Sequence, residues 1–321
     1  MDELISKILA HPSLIKQAPV LLDIGASGEI HAKWKKIAKY SICIAFDADS
    51  RDFSVAENEH GDYKKLYTFN CIVSNKEDNT IPFYLTKSPY CSSALKPATQ
   101  RLENFIFAPL FEIDKVIELK NISLSKALKQ LDINYIDWFK SDSQGTDLRL
   151  FKNLPEDIQE KVLIAEFEPG IMDAYEGEDK MYAVMEYMDK LGFLLAEMDV
   201  KKVQHISEND FSQIYASAMF KRFAKKSVKA LPFWAELTYL NRFEKQGIMD
   251  LRAHILACLF ALLQEQNTFA LQLSRTGYDT YKDNIFKEIS SEAARLLKKD
   301  YYSFKFMETV VAQTWQKFKQ K

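Results

Sequence analysis

Two short segments of this 321-residue chain concentrate the residue types that do chemistry. The first, residues 21–30 (LLDIGASGEI), closes an apolar run on Asp23 and follows it with Gly25 and Gly28. Glycine permits a tight turn and the close approach of a ligand to the backbone. An acid at a strand end before such a turn suits a ligand carrying a positive ammonium or sulfonium group. A second apolar run (SICIAF) ends on Asp47, where a carboxylate can accept both hydroxyls of a ribose. S-adenosyl-L-methionine is a nucleoside and a sulfonium, so it meets both requirements. The order Asp-x-Gly-x-x-Gly departs from the Gly-x-Gly-x-x-Gly of dinucleotide loops, which counts against NAD. It also lacks the Gly-Lys-Ser/Thr of phosphate-binding P-loops.

The second segment, residues 135–151 (YIDWFKSDSQGTDLRLF), brings Lys140, Asp142, Gln144 and Asp147 to the exit of another apolar run. Gly145 relieves crowding where the chain turns onward. The next such run exits at Glu166 and Glu168. Carboxylates grouped at one sheet edge can raise one carboxyl pKa and make it a base near neutral pH. They could equally hold magnesium through oxygen ligands. The plainer alternative pairs Lys140 with Asp142 or Glu166 and uses Asp147 as a helix cap.

The elements that position these residues are legible as alternating periods. Residues 19–24, 41–46, 66–73, 135–139 and 162–167 are continuous apolar runs, the pattern of strands buried on both faces. Residues 80–85 alternate like an edge strand, 116–119 form a short strand, and 193–200 and 214–220 read as late strands. Helices are expected at 2–10, 29–39, 123–131, from 148, and at 179–191, with Gly192 as a C-cap. From Leu231 onward the periods read as helical throughout. The expected fold is α/β, a Rossmann-like, mostly parallel seven-stranded sheet followed by an all-α C-terminal extension. The expected domains are 1–225 and 226–321.

Composition bounds the class. The chain is 47% hydrophobic and 27% charged, enough for a large core. Its nine glycines are few, so each is expected where a side chain is not tolerated. No apolar run reaches the ~20 residues of a membrane span, and the N-terminus lacks the pattern of a secretory signal. Four dispersed cysteines without a Cys-x-x-Cys, and dispersed histidines, fit reduced thiols in a cytoplasmic protein rather than a zinc site. Residues 1–220 carry 25 basic and 35 acidic side chains, whereas residues 221–321 carry 18 and 10. That division does not fit a nucleic-acid binder, whose whole domain would be basic.

The quoted segments, together with residues 70–97 (NCIVSNKEDNTIPFYLTKSPYCSSALKP), resemble the FkbM-type methyltransferases in order and spacing over about residues 19–223. The resemblance implies the class I S-adenosylmethionine-dependent methyltransferase fold. It also implies O-methylation of a hydroxyl, most often on a sugar of a cell-surface polysaccharide or its precursor. It implies a cofactor loop of Asp23, Gly25, Ala26, Ser27 and Gly28. Asp47 would hold the ribose, with Ala48 where the family usually has proline, and Ile72 and Val73 would flank the adenine. Lys140, Asp142, Gly145 and Asp147 match a Lys-x-Asp-x-x-Gly-x-Glu block, with Asp147 in place of Glu. Ser92 and Ser93 match a serine pair on the acceptor side.

A sugar hydroxyl is a weak nucleophile and needs a base or a metal. Asp142 is expected in that role, as base or magnesium ligand, with Lys140 and Glu166 shaping its protonation or the acceptor's hydrogen bonds. His31 and His205 are further candidates, and Trp34, Tyr90 and Tyr175 are candidate sugar platforms. The alternatives are methylation of a protein or small metabolite, and a catalytically silent binding module. The tail outside the resemblance interleaves Arg295, Lys298, Lys299, Lys305, Lys317, Lys319 and Lys321 with Phe304, Phe306, Trp315 and Phe318. Such a stretch could pack as a lid or pair two copies as a homodimer, bind an anionic acceptor such as a nucleotide- or lipid-linked sugar, touch the inner face of a membrane, or simply be a solvated face.

Overall fold

A computed structural model describes residues 1–26, 31–49, 62–76, 79–215, 217–243, 249–301, 308–313 and 315. The chain divides into two compact units, Pro19–Gly247 and a helical unit made of Met1–Ala18 with Ile248–Lys321.

Among the described residues the larger unit holds ten strands: β1 Val20–Ile24, β2 Ile42–Phe46, β3 Lys65–Phe69, β4 Ile72–Val73, β5 Thr80–Thr86, β6 Ile113–Ile122, β7 Trp138–Ser141, β8 Ile164–Phe167, β9 Phe193–Val203 and β10 Leu231–Asn241. Seven form one sheet in the order β3-β2-β1-β7-β8-β10-β9, and β4, β6 and β5 form a small second sheet. Neighbours from β3 to β8 pair in parallel, while β10 runs antiparallel to both β8 and β9. The first five strands of the main sheet therefore follow the 3-2-1-4-5 order of doubly wound α/β folds. The chain moves outward from β1 in one direction and returns to its other side at β7.

The continuous apolar runs are explained by burial on both faces. Val20, Leu22, Ile44, Phe139 and Ala165 share a core with Leu124, Ala127 and Leu128 of the helix Leu124–Gln130. Ser123 caps that helix by accepting the Lys126 N–H, and Gly192 follows the helix Met181–Lys190 in a left-handed conformation. Charged side chains also enter the sheet. Register places Asp23 beside Lys140, Lys140 beside Glu166, Glu166 beside Thr238, and Thr238 beside Glu197. Side chains in one cross-strand row share a face, so these residues form a polar band across four strand boundaries.

Several expectations need correction. Residues 66–73 are not one strand, because β3 ends at Phe69 and β4 joins a different sheet. Residues 32–34 and 38–40 are short 3₁₀ turns rather than parts of an α-helix. Trp34 and Ile37 are buried at a three-residue spacing that 3₁₀ geometry satisfies as well as α. Residues 214–220 are not a strand; the helix Glu208–Ile214 ends there and the helix Ala218–Ser227 begins. The expected boundary at 225/226 also fails. β10 is a sheet strand whose register with β9 shifts twice, which disrupts the alternation that sequence reading relies on. The division falls instead at residues 18/19 and 247/248, and the N-terminal helix Asp2–Leu9 belongs with the C-terminal helices.

In the helical unit, Leu251–Leu263 is apolar nearly all round and buried over most of its length. Asn267–Tyr281 and Ile285–Tyr301 pack beside it. Arg252 is buried and donates to the carbonyls of Gln17 and Ala18. His11 sits 3.1 Å from Asp283. Among the described residues no helix is long and apolar enough to cross a membrane.

Candidate functional site

The site is built where β1 and β7 leave the sheet side by side. Ligands of open α/β sheets bind outside the carboxyl ends of the strands, at the point where strand order reverses, and β1/β7 is that point here. Gly25 has φ +83°, and the Gly25 and Ala26 N–H groups both donate to the Phe46 carbonyl, at 2.8 and 3.1 Å. The Asp142 N–H donates to the Ile24 carbonyl at 2.9 Å, which draws the two loops together. A Cβ on Gly25 would lie 2.1 Å from the Asp142 carbonyl oxygen. Both φ and this contact demand glycine.

Above these loops lies a cavity of about 440 Å³, a volume within the usual range for small-molecule sites. Its lining includes Ile24, Gly25, Phe46, Asp47, Ala48, Asp49, Cys71, Ile72 and Val73, from the ends of β1, β2 and β3 and from β4, and an aromatic set, Phe83, Tyr90, Phe107, Phe111, Tyr175, Phe233 and Trp234. Asp142, Gln144 and Glu168 line it as well. The described lining residues include five acids (Asp47, Asp49, Asp142, Glu168 and Glu178) and no Lys, Arg or His.

Asp142 and Glu168 are the chemical centre of this arrangement. Burial pushes both carboxyls up, and the Asp142 and Asp147 charges push Glu168 further, to about 9. Glu168 shares its proton with Asp142, which helps Asp142 stay ionised, as does the nearby Lys140 charge. Gln144 Nε2 donates to Asp142 Oδ1 at 2.6 Å. The Tyr175 hydroxyl lies 2.8 Å from Gln144 Oε1 and 2.9 Å from the Cys91 carbonyl, and burial keeps it protonated. Gln144 sits at φ +56°, and Ser93 fixes it by donating to its carbonyl at 2.7 Å.

Asp147 organises the pair from beneath. Its Oδ1 accepts from the Ser141 hydroxyl and from the Ser143 N–H and hydroxyl, at 2.7, 2.8 and 2.5 Å. Its Oδ2 accepts the Glu168 N–H at 3.0 Å. One carboxylate thus ties the exits of β7 and β8 together. Glu178 performs a similar task at the rim, accepting the Ala174 and Tyr175 N–H groups, with Lys180 3.2 Å away. A Cβ on Gly170 would run into the Glu178 carboxylate.

The expected site residues divide sharply. Gly25, Asp47, Ala48, Ile72, Val73 and Asp142 line the cavity, and so do Ser92, Tyr90 and Tyr175. Ser27 and Gly28 lie outside the described residues. Ala26 is buried but not in the lining. Asp23 is buried beneath the loop, where Lys140 Nζ donates to its Oδ1 at 2.7 Å. Neither Lys140 nor Glu166 lines the cavity. Lys140 reaches Asp142 through its charge alone, and Glu166 instead faces Lys33 at 3.8 Å. The two were expected beside the reacting atoms because they share the strand exit with Asp142, but they lie inside β7 and β8, paired in register in the polar band, whereas Asp142 and Glu168 lie just past the strand ends.

His31 is likewise outside the lining, and burial lowers its pKa. Trp34 is a core residue set edge-on to Trp138, and His205 packs on Phe105. No group of three or more His, Cys, Asp or Glu among the described residues is arranged to hold a metal ion.

Sequence reasoning placed Glu168 at the right edge but gave its role to Glu166. The signal was available, since residue 168 lies one position past the strand end and precedes Pro169. The aromatic wall from Phe107, Phe111, Phe233 and Trp234 carried no local signal, because its members come from an irregular segment and a distant strand. No family model matches the chain, and no curated protein does.

Proposed function

We propose that this protein is an S-adenosylmethionine-dependent O-methyltransferase of the class I fold, acting on a neutral sugar hydroxyl. The observation that carries the reading is the cavity at the β1/β7 exit, whose lining joins Asp142 and Glu168 with the acid that follows β2 and with a set of aromatic side chains. The seven-stranded, mostly parallel sheet fits the architecture implied by the resemblance to FkbM-type methyltransferases. The lining chemistry fits the cofactor. Asp47 stands at the β2 exit for a ribose, Phe46, Ile72 and Val73 offer apolar contact to a base, and the acids suit a positively charged ligand.

When bound, S-adenosylmethionine supplies an electrophilic methyl group on a sulfonium. The protein's task is then positioning, desolvation and removal of one proton. The aromatic set holds the acceptor ring and excludes water. Asp142 would take the proton of the acceptor hydroxyl, leaving its oxygen free to receive the methyl group that the bound cofactor would supply. Glu168 keeps its own proton and so leaves Asp142 free to take another. Gln144 holds Asp142 in its rotamer. Asp23 and Lys140 act beneath the loop, and no step runs through Glu166.

The excess of acids over bases among the described lining residues disfavours phosphorylated or carboxylated acceptors. It also supports a second reading, methylation of an amine on a small metabolite. Calorimetry decides the cofactor: S-adenosylmethionine is expected to bind and NAD is not. Absence of heat with millimolar S-adenosylmethionine would overturn the proposal. Methyl transfer to neutral sugars against amines then separates the two acceptors.

A further inference from the structure

Away from the cavity, the helix Ala218–Ser227 (AMFKRFAKKS) is amphipathic in an inverted sense. At helical spacing Met219, Phe220 and Phe223 share one face, and Lys221, Arg222 and Lys225 share the opposite side. A surface helix of a globular protein turns its apolar stripe to the core. Here Met219 is 60% exposed, Phe220 60% and Phe223 66%, while the small Ala224 is the buried contact. Ile214, just upstream, is 63% exposed. Isolated exposed apolar residues need no explanation, but two phenylalanines and a methionine on one turn of helix do.

The surrounding charge is one-sided. Between Asp210 and Glu236 the sequence has no acid and five bases: Lys221, Arg222, Lys225, Lys226 and Lys229. The segment is also tied to the cavity. Gln204 Nε2 donates to the Lys225 carbonyl at 2.6 Å, and the Gln204 carbonyl accepts the Ile106 N–H at 3.2 Å. Phe107, Leu110 and Phe111, which follow Ile106, line the cavity.

We propose that this helix is a docking element for an anionic lipid bilayer. Met219, Phe220 and Phe223 enter the boundary between headgroups and acyl chains. Lys221, Arg222, Lys225 and Lys229 lie among anionic headgroups, the pattern of an interfacial helix. A two-fold contact between copies fits less well, because it would set this basic segment against itself. The segment is separate in sequence from the basic tail at residues 295–321.

The test is cosedimentation of the full chain with phosphatidylcholine vesicles, with and without phosphatidylglycerol. The wild type is expected to partition onto the anionic vesicles, less so as salt rises, and not onto the neutral ones. Phe220→Ser with Phe223→Ser, and separately Lys221→Gln with Arg222→Gln and Lys225→Gln, are expected to lower partitioning about tenfold or more. Circular dichroism and S-adenosylmethionine binding should match the wild type in both variants. Three results overturn the proposal: no wild-type binding to anionic vesicles, undiminished binding by the double phenylalanine variant, or conversion by that variant of a lipid-free dimer into a monomer.

Discussion

Four carboxylates reach the same edge of one sheet and meet two different environments. Asp23 and Glu166 lie in the polar band, where Lys140 stands 2.7 Å from the first and Lys33 3.8 Å from the second. Asp142 and Glu168 lie in the cavity and share a proton instead of each meeting a cation. The contrast shows what converts an acid from a structural group into a chemical one. A cation beside a buried carboxylate pairs with it and fixes it in place. Two buried carboxyls without such partners hold a proton between them, and one of them remains ready to accept another. Two residues along the chain separate the two cases, since Glu166 is inside β8 and Glu168 is just past its end.

The largest expected effect breaks the band. Lys140→Met leaves Asp23 charged and buried, which should cost about 3–5 kcal/mol by urea denaturation. If the variant is as stable as the wild type, the band does not hold the cofactor loop. Next, Asp142→Asn should lower the methyl-transfer rate by about 10²–10⁴-fold with cofactor affinity retained, read by steady-state kinetics and calorimetry. Full turnover in that variant would remove Asp142 from the mechanism, and lost affinity would make it a ligand to the methionine group.

Glu168→Gln sharpens the comparison through pH. The folded state holds the Glu168 proton up to about 9, whereas an unfolded glutamate releases it near ~4.3. The native state therefore binds the extra proton, and stability falls as pH rises across that window, by up to ~1.4 kcal/mol per pH unit for one proton. The variant should show a flatter decline in denaturation midpoint, and its rate profile should lose the alkaline limb while keeping the acidic one. The smallest effect belongs to Lys33, which is partly exposed. Lys33→Gln should change stability by less than about 1 kcal/mol and leave turnover near wild type. A large loss there would mean that the polar band reaches the reacting groups after all.

Much of the frame was legible without coordinates. β1, β2, β7 and β8 stand out because parallel strands buried on both faces read as near-continuous apolar runs, here interrupted only near their ends. Gly25, Asp47 and Asp142 were legible because each follows such a run at once, and strand ends in this topology converge. β10 was not legible, since its pairing with β9 carries two register shifts. Residues 214–220 were expected as a strand but divide between the end of one helix and the start of the next, and periodicity alone does not say that the apolar side of the second helix faces solvent.

The sequence by itself determined an α/β sheet, its strand-end acids and the glycine turn beside them, since these follow from local period, burial and backbone sterics. Tertiary structure alone decided which acids meet a cation and which share a proton. It also decided which aromatics form a wall, and that the first eighteen residues join the last helices. Those outcomes depend on register between strands far apart in the chain, where a shift of one residue turns a side chain to the other face.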